Sequence, residues 1–283
     1  MKEINQEKIE SYRQHLIEEE KSKSTIEKYL RDIKSFTEWN FNRKIDKTIV
    51  LSYKSYLLEH YAVASVNSML SSLNSFFSYM EWFELKVKIV KIQRQIFSSN
   101  EKELTKEEYE RLLKVAQDKK NERLCLLMQT ICSCGIRVSE LQYITVEALK
   151  DGQSTISCKG KRRKVFLPHA LCKILKKYIQ KQKIKSGPIF ITKKGKPLDR
   201  SNIWSDMKKL CEIAKVSSEK VFPHNLRHLF ARTYYRFQKD IVRLADILGH
   251  SNINTTRIYT RESGEIHRRQ IQMLGLLQYQ VTT

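Results

Sequence analysis

No stretch of the 283 residues approaches the about 20 consecutive apolar side chains that a membrane-spanning helix requires. The opening Met1-Lys2-Glu3-Ile4-Asn5 reads as the start of a polar helix and not of a signal peptide, so the cytoplasm is the expected compartment and no membrane partner is expected. Six cysteines occur, Cys125, Cys132, Cys134, Cys158, Cys172 and Cys211, but they are scattered through mostly apolar helical patterns. Cys132 and Cys134 stand too close for a disulfide framework and lack a second pair to complete a zinc site. Reduced, buried thiols and no metal are expected. There is no GxxxxGK phosphate loop and no long internal repeat. Acid is the scarcest charge: 31 Asp and Glu face 53 Lys and Arg, which leaves a net +22. Such an excess repels itself in a compact state and calls for an anionic partner, with nucleic acid the leading candidate.

What remains is organised in two parts. Residues 1–85 read as helices only. The first is expected over Gln6–Glu20. Ser24-Thr-Ile-Glu27 has the form of a capping box before an apolar stripe of Ile26, Tyr29, Leu30, Ile33, Phe36 and Trp39. Asp46 can cap a third helix through Leu58, and a fourth runs from about Ser65 to Phe83. The face of this fourth helix opposite its apolar stripe carries Asn67, Ser68, Ser71, Ser72, Asn74 and Ser75. Short polar side chains such as Ser71 and Asn74 can approach a phosphate backbone, or form a solvated face. Residues 86–103 form a basic connector, suited to strapping two domains around a duplex. Residues 104–283 open with a second capping box at Thr105-Lys-Glu-Glu108, then helices at 106–118 and 121–134. Short β-like runs flank Lys159-Gly-Lys-Arg-Arg163 and predict a hairpin. A helix follows from Pro168, a short strand at Pro188–Thr192, and helices to the end. The fold class is mainly α with a small β hairpin, an α+β arrangement in the second part.

Four short stretches hold one constellation: Arg137; Lys159; His224 with Arg227; and His250 followed nine residues later by Tyr259. A phosphodiester gathers negative charge on its non-bridging oxygens as it reacts, and guanidinium groups bind such oxygens through paired charge-assisted bonds. Two arginines from separate segments can clamp one phosphate. In a helix, His224, Arg227 and His228 share a face. Gly249 allows a sharp turn that returns His250 toward the same place. A phenol of pKa about 10 needs help losing its proton, which neighbouring arginines and a histidine can give. Tyr259 is therefore the expected nucleophile. The leaving oxygen needs a proton, and Lys159, Lys161 and Lys164 compete for that task on the hairpin, with Lys159 preferred over Lys161. The same hairpin, through Lys161, Arg162 and Arg163, can instead enter a groove and neutralise phosphates. Carboxylates for two-metal chemistry are not evident near these motifs, so neither metal nor other cofactor is expected.

Cys134-Gly-Ile-Arg-Val-Ser-Glu-Leu141, Lys159-Gly-Lys161, His224-Asn-Leu-Arg-His228, Leu248-Gly-His250 and Tyr259 together resemble the tyrosine recombinases, or phage-integrase family, the Xer-type members most closely. The resemblance spans nearly the whole chain. It implies a four-helix, SAM-like core-binding domain followed by a catalytic domain. It also implies roles: Arg137 and Arg227 hold the scissile phosphate, Lys159 is the general acid, and His224 assists proton transfer. His250 hydrogen-bonds the phosphate, and Tyr259 forms a 3′-phosphotyrosyl link. Glu140 supports the site, holding an arginine. The implied partners are double-stranded DNA with a specific recombination site, a homotetramer on two sites, and accessory DNA-bending proteins. The apolar C-terminal stretch Glu265–Gln280 would be a helix that docks on its own domain or on a neighbouring protomer. Cys132-Ser-Cys-Gly stands where small residues are usual, and Asn225 where Asp is common. Two other readings stay open: a type IB topoisomerase that reseals the strand it cuts, and a DNA-binding regulator that kept the scaffold without the chemistry.

Overall fold

The computed structural model describes residues 2–41, 43–91, 102–158, 161–192, 194–259 and 272–274. They fall into two compact units, Met1–Gln95 and Ile96–Thr283. Among the described residues no helix is long and apolar enough to cross a membrane.

The first unit is built from α1 (Gln6–Glu18), α2 (Lys23–Trp39), α3 (Lys47–His60) and α4 (Val63–Tyr79), with a 3₁₀ turn at Phe83–Leu85. Asn5, Ser22 and Asp46 each accept a hydrogen bond from a first-turn amide of the helix that follows. The cap of α2 is thus Ser22 and not Ser24. Both serines precede the apolar stripe, and the chain uses the one that leaves Ser24 and Thr25 inside the first turn. Tyr12, Leu16, Ile33, Phe36, Tyr53, Leu57, Leu70, Leu73, Phe76 and Phe77 make a dry core with almost no exposure. Asp32 is a buried charge beside this core, and both Lys28 Nζ and Ser72 Oγ bind its Oδ2, at 2.8 and 2.7 Å.

The polar face of α4 holds part of the chain itself. Asn74 donates through Nδ2 to the Val87 carbonyl at 2.8 Å and accepts from the Val87 amide at 2.9 Å. Asn67 pairs with Val90 in the same manner, at 2.9 Å for both bonds. Lys54 donates to the Lys88 carbonyl at 2.8 Å, and Lys47 to that of Lys86. Residues 86–90, expected as a bare connector, are therefore laid along α3 and α4. Ser71 donates to the Asn67 carbonyl at 2.7 Å, the back-bond a helical serine often makes.

The second unit contains α5 (Lys106–Asp118), α6 (Glu122–Cys134), a 3₁₀ stretch Val138–Tyr143, α7 (Val146–Asp151), β1 (Gln153–Cys158), β2 (Lys161–Phe166), α8 (His169–Lys181), α9 (Arg200–Lys208), α10 (Cys211–Ala214), α11 (Pro223–Gln238) and α12 (Ile241–Leu248). The capping box at Thr105 and Glu108 is present, with both reciprocal bonds made. α6 is the centre: Leu124 to Met128, Thr130, Ile131 and Cys134 are all buried. β1 and β2 pair antiparallel in the register Ile156↔Arg163 and Ser154↔Val165. The expected strand at Pro188–Thr192 is only a pair of single bridges, Thr145↔Pro188 and Ile191↔Pro197. Two bridging points satisfy that segment, whose Ile189 and Phe190 are buried as core. Cys125, Cys132, Cys134, Cys172 and Cys211 are free thiols, and all but the half-buried Cys132 are fully buried.

Candidate active site

Among the described residues Arg227 is the most deeply buried charge, with no side-chain exposure. It lies on α11, which Pro223 opens at its first position, where a missing amide costs nothing. Arg227 Nη1 donates to the Gly135 carbonyl and Nη2 to the Leu248 carbonyl, both at 2.7 Å. These two carbonyls end α6 and α12, so the cation rests on the negative poles of two helices. Each helix stops at a left-handed glycine, Gly135 with φ 63° and Gly249 with φ 65°. Neither position has room for a side chain. A Cβ at Gly135 would come within 2.4 Å of the Phe230 ring, and one at Gly249 within 2.7 Å of Arg163 Cδ. Burial depresses the Arg227 pKa to about 10, with nearby Arg137 adding to the fall and Glu140 opposing it. The guanidinium stays charged at neutral pH.

Glu140, 2 % exposed, gathers the arginines. Its carboxylate accepts from the Arg137 amide at 2.7 Å, Arg137 Nη1 at 3.0 Å, Arg163 Nη1 at 2.9 Å and Arg163 Nη2 at 2.8 Å. Arg227 Nη1 stands 3.8 Å from the same group. Burial alone would raise this carboxyl, but the bonds from Arg163 and Arg137 outweigh it and hold its pKa below the usual range. The expected arginine holder thus binds two arginines and adjoins a third. Arg163 corrects the expectation that it meets DNA. It sits opposite Ile156 on the inner face of the hairpin, and both terminal nitrogens are taken by Glu140.

Tyr259, 5 % exposed, closes the pocket in a 3₁₀ turn, Arg257–Tyr259. Its ring stacks on His250 with centroids 6.3 Å apart and meets the edge of His228 at 5.0 Å. Ala231, Leu244 and Leu248 complete its surroundings. Burial raises the phenol pKa above its ordinary value, and the nearby charge of Arg227 pulls back without cancelling it. The arginines favour the phenolate as expected, but removal from water outweighs them, and the phenol holds its proton at neutral pH.

His250 Nε2 lies 3.0 Å from Arg227 Nη2, and Nδ1 lies 2.8 Å from Thr256 Oγ1. A guanidinium only donates, so Nε2 accepts and the ring proton sits on Nδ1, toward Thr256. Burial and then Arg227 depress the His250 pKa to about 4, so the ring is neutral at pH 7. Both its nitrogens are engaged within the protein, Nε2 with Arg227 and Nδ1 with Thr256. His224 is exposed at the mouth, 4.4 Å from the His228 ring, its pKa lowered by partial burial and then by Arg227, Arg137 and Arg200. Arg137, 36 % exposed, also reaches the opening. These two line a cleft of about 620 Å³.

Lys159 lies outside the described residues, as do the side chain of Lys161 and the C-terminal stretch 265–280 apart from residues 272–274. Arg162 is exposed on β2 opposite Ser157. Among the described residues no three His, Cys, Asp or Glu side chains cluster as metal ligands. Thr256 and His228 were not singled out as site residues. Thr256 carried no signal beyond its place between His250 and Tyr259; His228 carried one, its helical phase with His224.

Comparison with known proteins gives the family and the fold. Residues 102–265 match the family model described as Phage integrase family, and residues 9–83 the one described as Phage integrase, N-terminal SAM-like domain. Tyrosine recombinase XerA of Pyrococcus furiosus is 27 % identical over 287 residues, covering 98 % of this chain and 97 % of the relative. XerA of Thermococcus onnurineus is 30 % identical, with 96 % of each chain covered. Among solved structures, a lambda integrase dimer bound to a COC′ core site aligns with TM-score 0.75 at 16 % identity, covering 99 % of both chains. XerH bound to its difH substrate aligns with TM-score 0.67 at 24 % identity, covering 86 % of this chain and 78 % of that one. These two likenesses speak to the fold.

Proposed function

Since the chain belongs to the phage integrase family and is a tyrosine recombinase, an enzyme that cuts and rejoins DNA at specific sites, we propose how its own residues divide that work. Arg137 and Arg227 bind the non-bridging oxygens of the scissile phosphate. Tyr259 Oη attacks the phosphorus, its proton passing to His224 at the cleft mouth. The bond to the 5′ oxygen breaks, and Lys159, or Lys161 beside it, protonates that oxygen. A 3′-phosphotyrosyl ester remains. A 5′ hydroxyl from another strand then attacks the ester, returns the phenol and completes a new phosphodiester, so no nucleotide hydrolysis is required. Glu140 and His250 act through the arginines: the first orients Arg137, the second braces Arg227.

The observation that carries this reading is the burial of the Tyr259 ring against His228 and His250, the latter bonded to the buried Arg227 guanidinium, inside one protomer. A neutral, desolvated phenol beside a buried cation is poised to lose its proton when a phosphate arrives to be attacked. Four protomers on two duplex sites are the proposed assembly, as in the lambda integrase tetramer bound to a Holliday junction, with accessory DNA-bending proteins setting the outcome in the cytoplasm. Trapping on a nicked suicide duplex tests the chemistry. Wild-type protein is expected to form a covalent adduct that maps to the Tyr259 peptide. Tyr259→Phe is expected to bind the duplex and form none. Adducts from that variant would refute the assignment.

A further inference from the structure

The catalytic cleft is larger than one phosphate. Its volume of about 620 Å³ falls in the range of pockets that enclose a drug-sized ligand, about 300–1,000 Å³. Arg137 and His224 line it, and α9 contributes Arg200, Ser201 and Trp204 to the same lining. Among the described residues, none of the side chains lining it is acidic. The Asp199 carboxylate next to this wall is turned to its own helix, where it accepts the Ser201 amide at 2.7 Å and caps α9. Trp204 leaves 48 % of its surface open, while the apolar residues of the same helix, Ile203 and Met207, are buried. Lys208 stands over the indole, 5.2 Å from its centroid. An exposed indole under one cation, in a lining that holds a second, is poorly suited to water and well suited to a chain of alternating apolar sugars and anionic phosphates.

Taking Arg137 and His224 as the residues that meet the scissile phosphate, as read above, we propose that the α9 wall binds the adjoining nucleotide of the cut strand. Arg200 takes its phosphate, and the Trp204 indole packs against its deoxyribose. Bases in a paired duplex are covered by their neighbours, so the apolar surface a strand offers beside its phosphates is the sugar edge. The contact is blind to sequence and fixes register, holding the scissile phosphorus in line with Tyr259. Arg200 and Trp204 are positioning residues for the reaction.

The probe is a nicked duplex selected from a randomised pool by covalent capture on the full-length wild-type protein. Single phosphates on either side of the cut are then replaced by neutral methylphosphonates. Arg200→Gln is expected to cleave the unmodified duplex about 10- to 100-fold more slowly, the weight of one charge-assisted contact. Arg200→Lys, which keeps the charge, should recover most of that loss. A methylphosphonate at the adjoining phosphate should slow the wild type by a similar factor and Arg200→Gln no further. Trp204→Ala should slow cleavage yet keep the sensitivity to that methylphosphonate, and Trp204→Phe should restore the rate. Wild-type-like cleavage by Arg200→Gln, or an equal methylphosphonate penalty in both proteins at every position, overturns the subsite while leaving Tyr259 in place. Failure of the wild type to capture any duplex covalently removes both readings.

Discussion

At the scale of the residue, one carboxylate decides whether three guanidiniums can share a pocket. Glu140 is buried and holds Arg137 and Arg163 directly. Removing one partner from a buried ionic cluster leaves the others uncompensated, at a cost of about 3–5 kcal/mol. Glu140→Gln should therefore lower the melting midpoint by roughly 10 °C at pH 7, given about 2–4 °C per kcal/mol for a unit of this size. The folded-state pKa of Glu140 is depressed, so its contribution is present above the ordinary carboxylate range and fades as pH falls through the folded value. The gap between wild type and variant should close in acid, and a pH-independent gap would show that the charge is not the cause. His250 has the same sign by a different route. It is neutral in the folded state down to about pH 4 and protonates near its ordinary 6.5 when unfolded, so its contribution is lost between those two values as pH falls. Denaturation midpoints should decline over that window, and more shallowly in His250→Gln. The arginine and histidine positions were readable from spacing. The inward turn of Arg163 was readable too, since strand alternation places it on the face of Val165, but the charge run around it suggested a solvated tip.

Elements place these residues through where they stop. α6 and α12 each end on a glycine that turns its last carbonyls onto Arg227. Gly135→Ala would put a Cβ 2.4 Å from the Phe230 ring and force a left-handed alanine, the conformation alone costing about 1–2 kcal/mol. We expect a lower denaturant midpoint and weaker adduct formation together, because the displaced carbonyl is the one that holds Arg227. Unchanged adduct yield in a destabilised Gly135→Ala would mean that Arg227 does not depend on the helix end. The sequence announced both glycines as breaks but not what their carbonyls hold, because that partner is 92 residues away in one case and 21 in the other. Caps were legible where a single candidate stood before the stripe, as at Asp46 and Thr105, and ambiguous where Ser22 and Ser24 both did. Asn74, expected on a phosphate-facing surface, shows the limit of face patterns. A polar stripe announces hydrogen bonds, and here the chain's own residues 86–90 make them.

For the whole molecule, the two-part organisation, the helical first unit and the hairpin of the second were all carried by periodicity and turn residues, and the excess of 53 basic over 31 acidic side chains pointed to DNA. The convergence of distant motifs on one pocket was not carried by any local pattern. It rested on the chemistry that those residue types share. The central claim is that Arg137, Arg227 and Tyr259 of one protomer make one complete active site. Mixing two inactive proteins, Tyr259→Phe and Arg137→Lys, on a nicked suicide duplex tests it directly. If each site is built within a single protomer, every site in the mixture lacks either its nucleophile or its full clamp, and no covalent adduct should exceed that of the Arg137→Lys protein alone. Adducts that appear only on mixing would show the tyrosine reaching a neighbour's arginines, and would contradict the account.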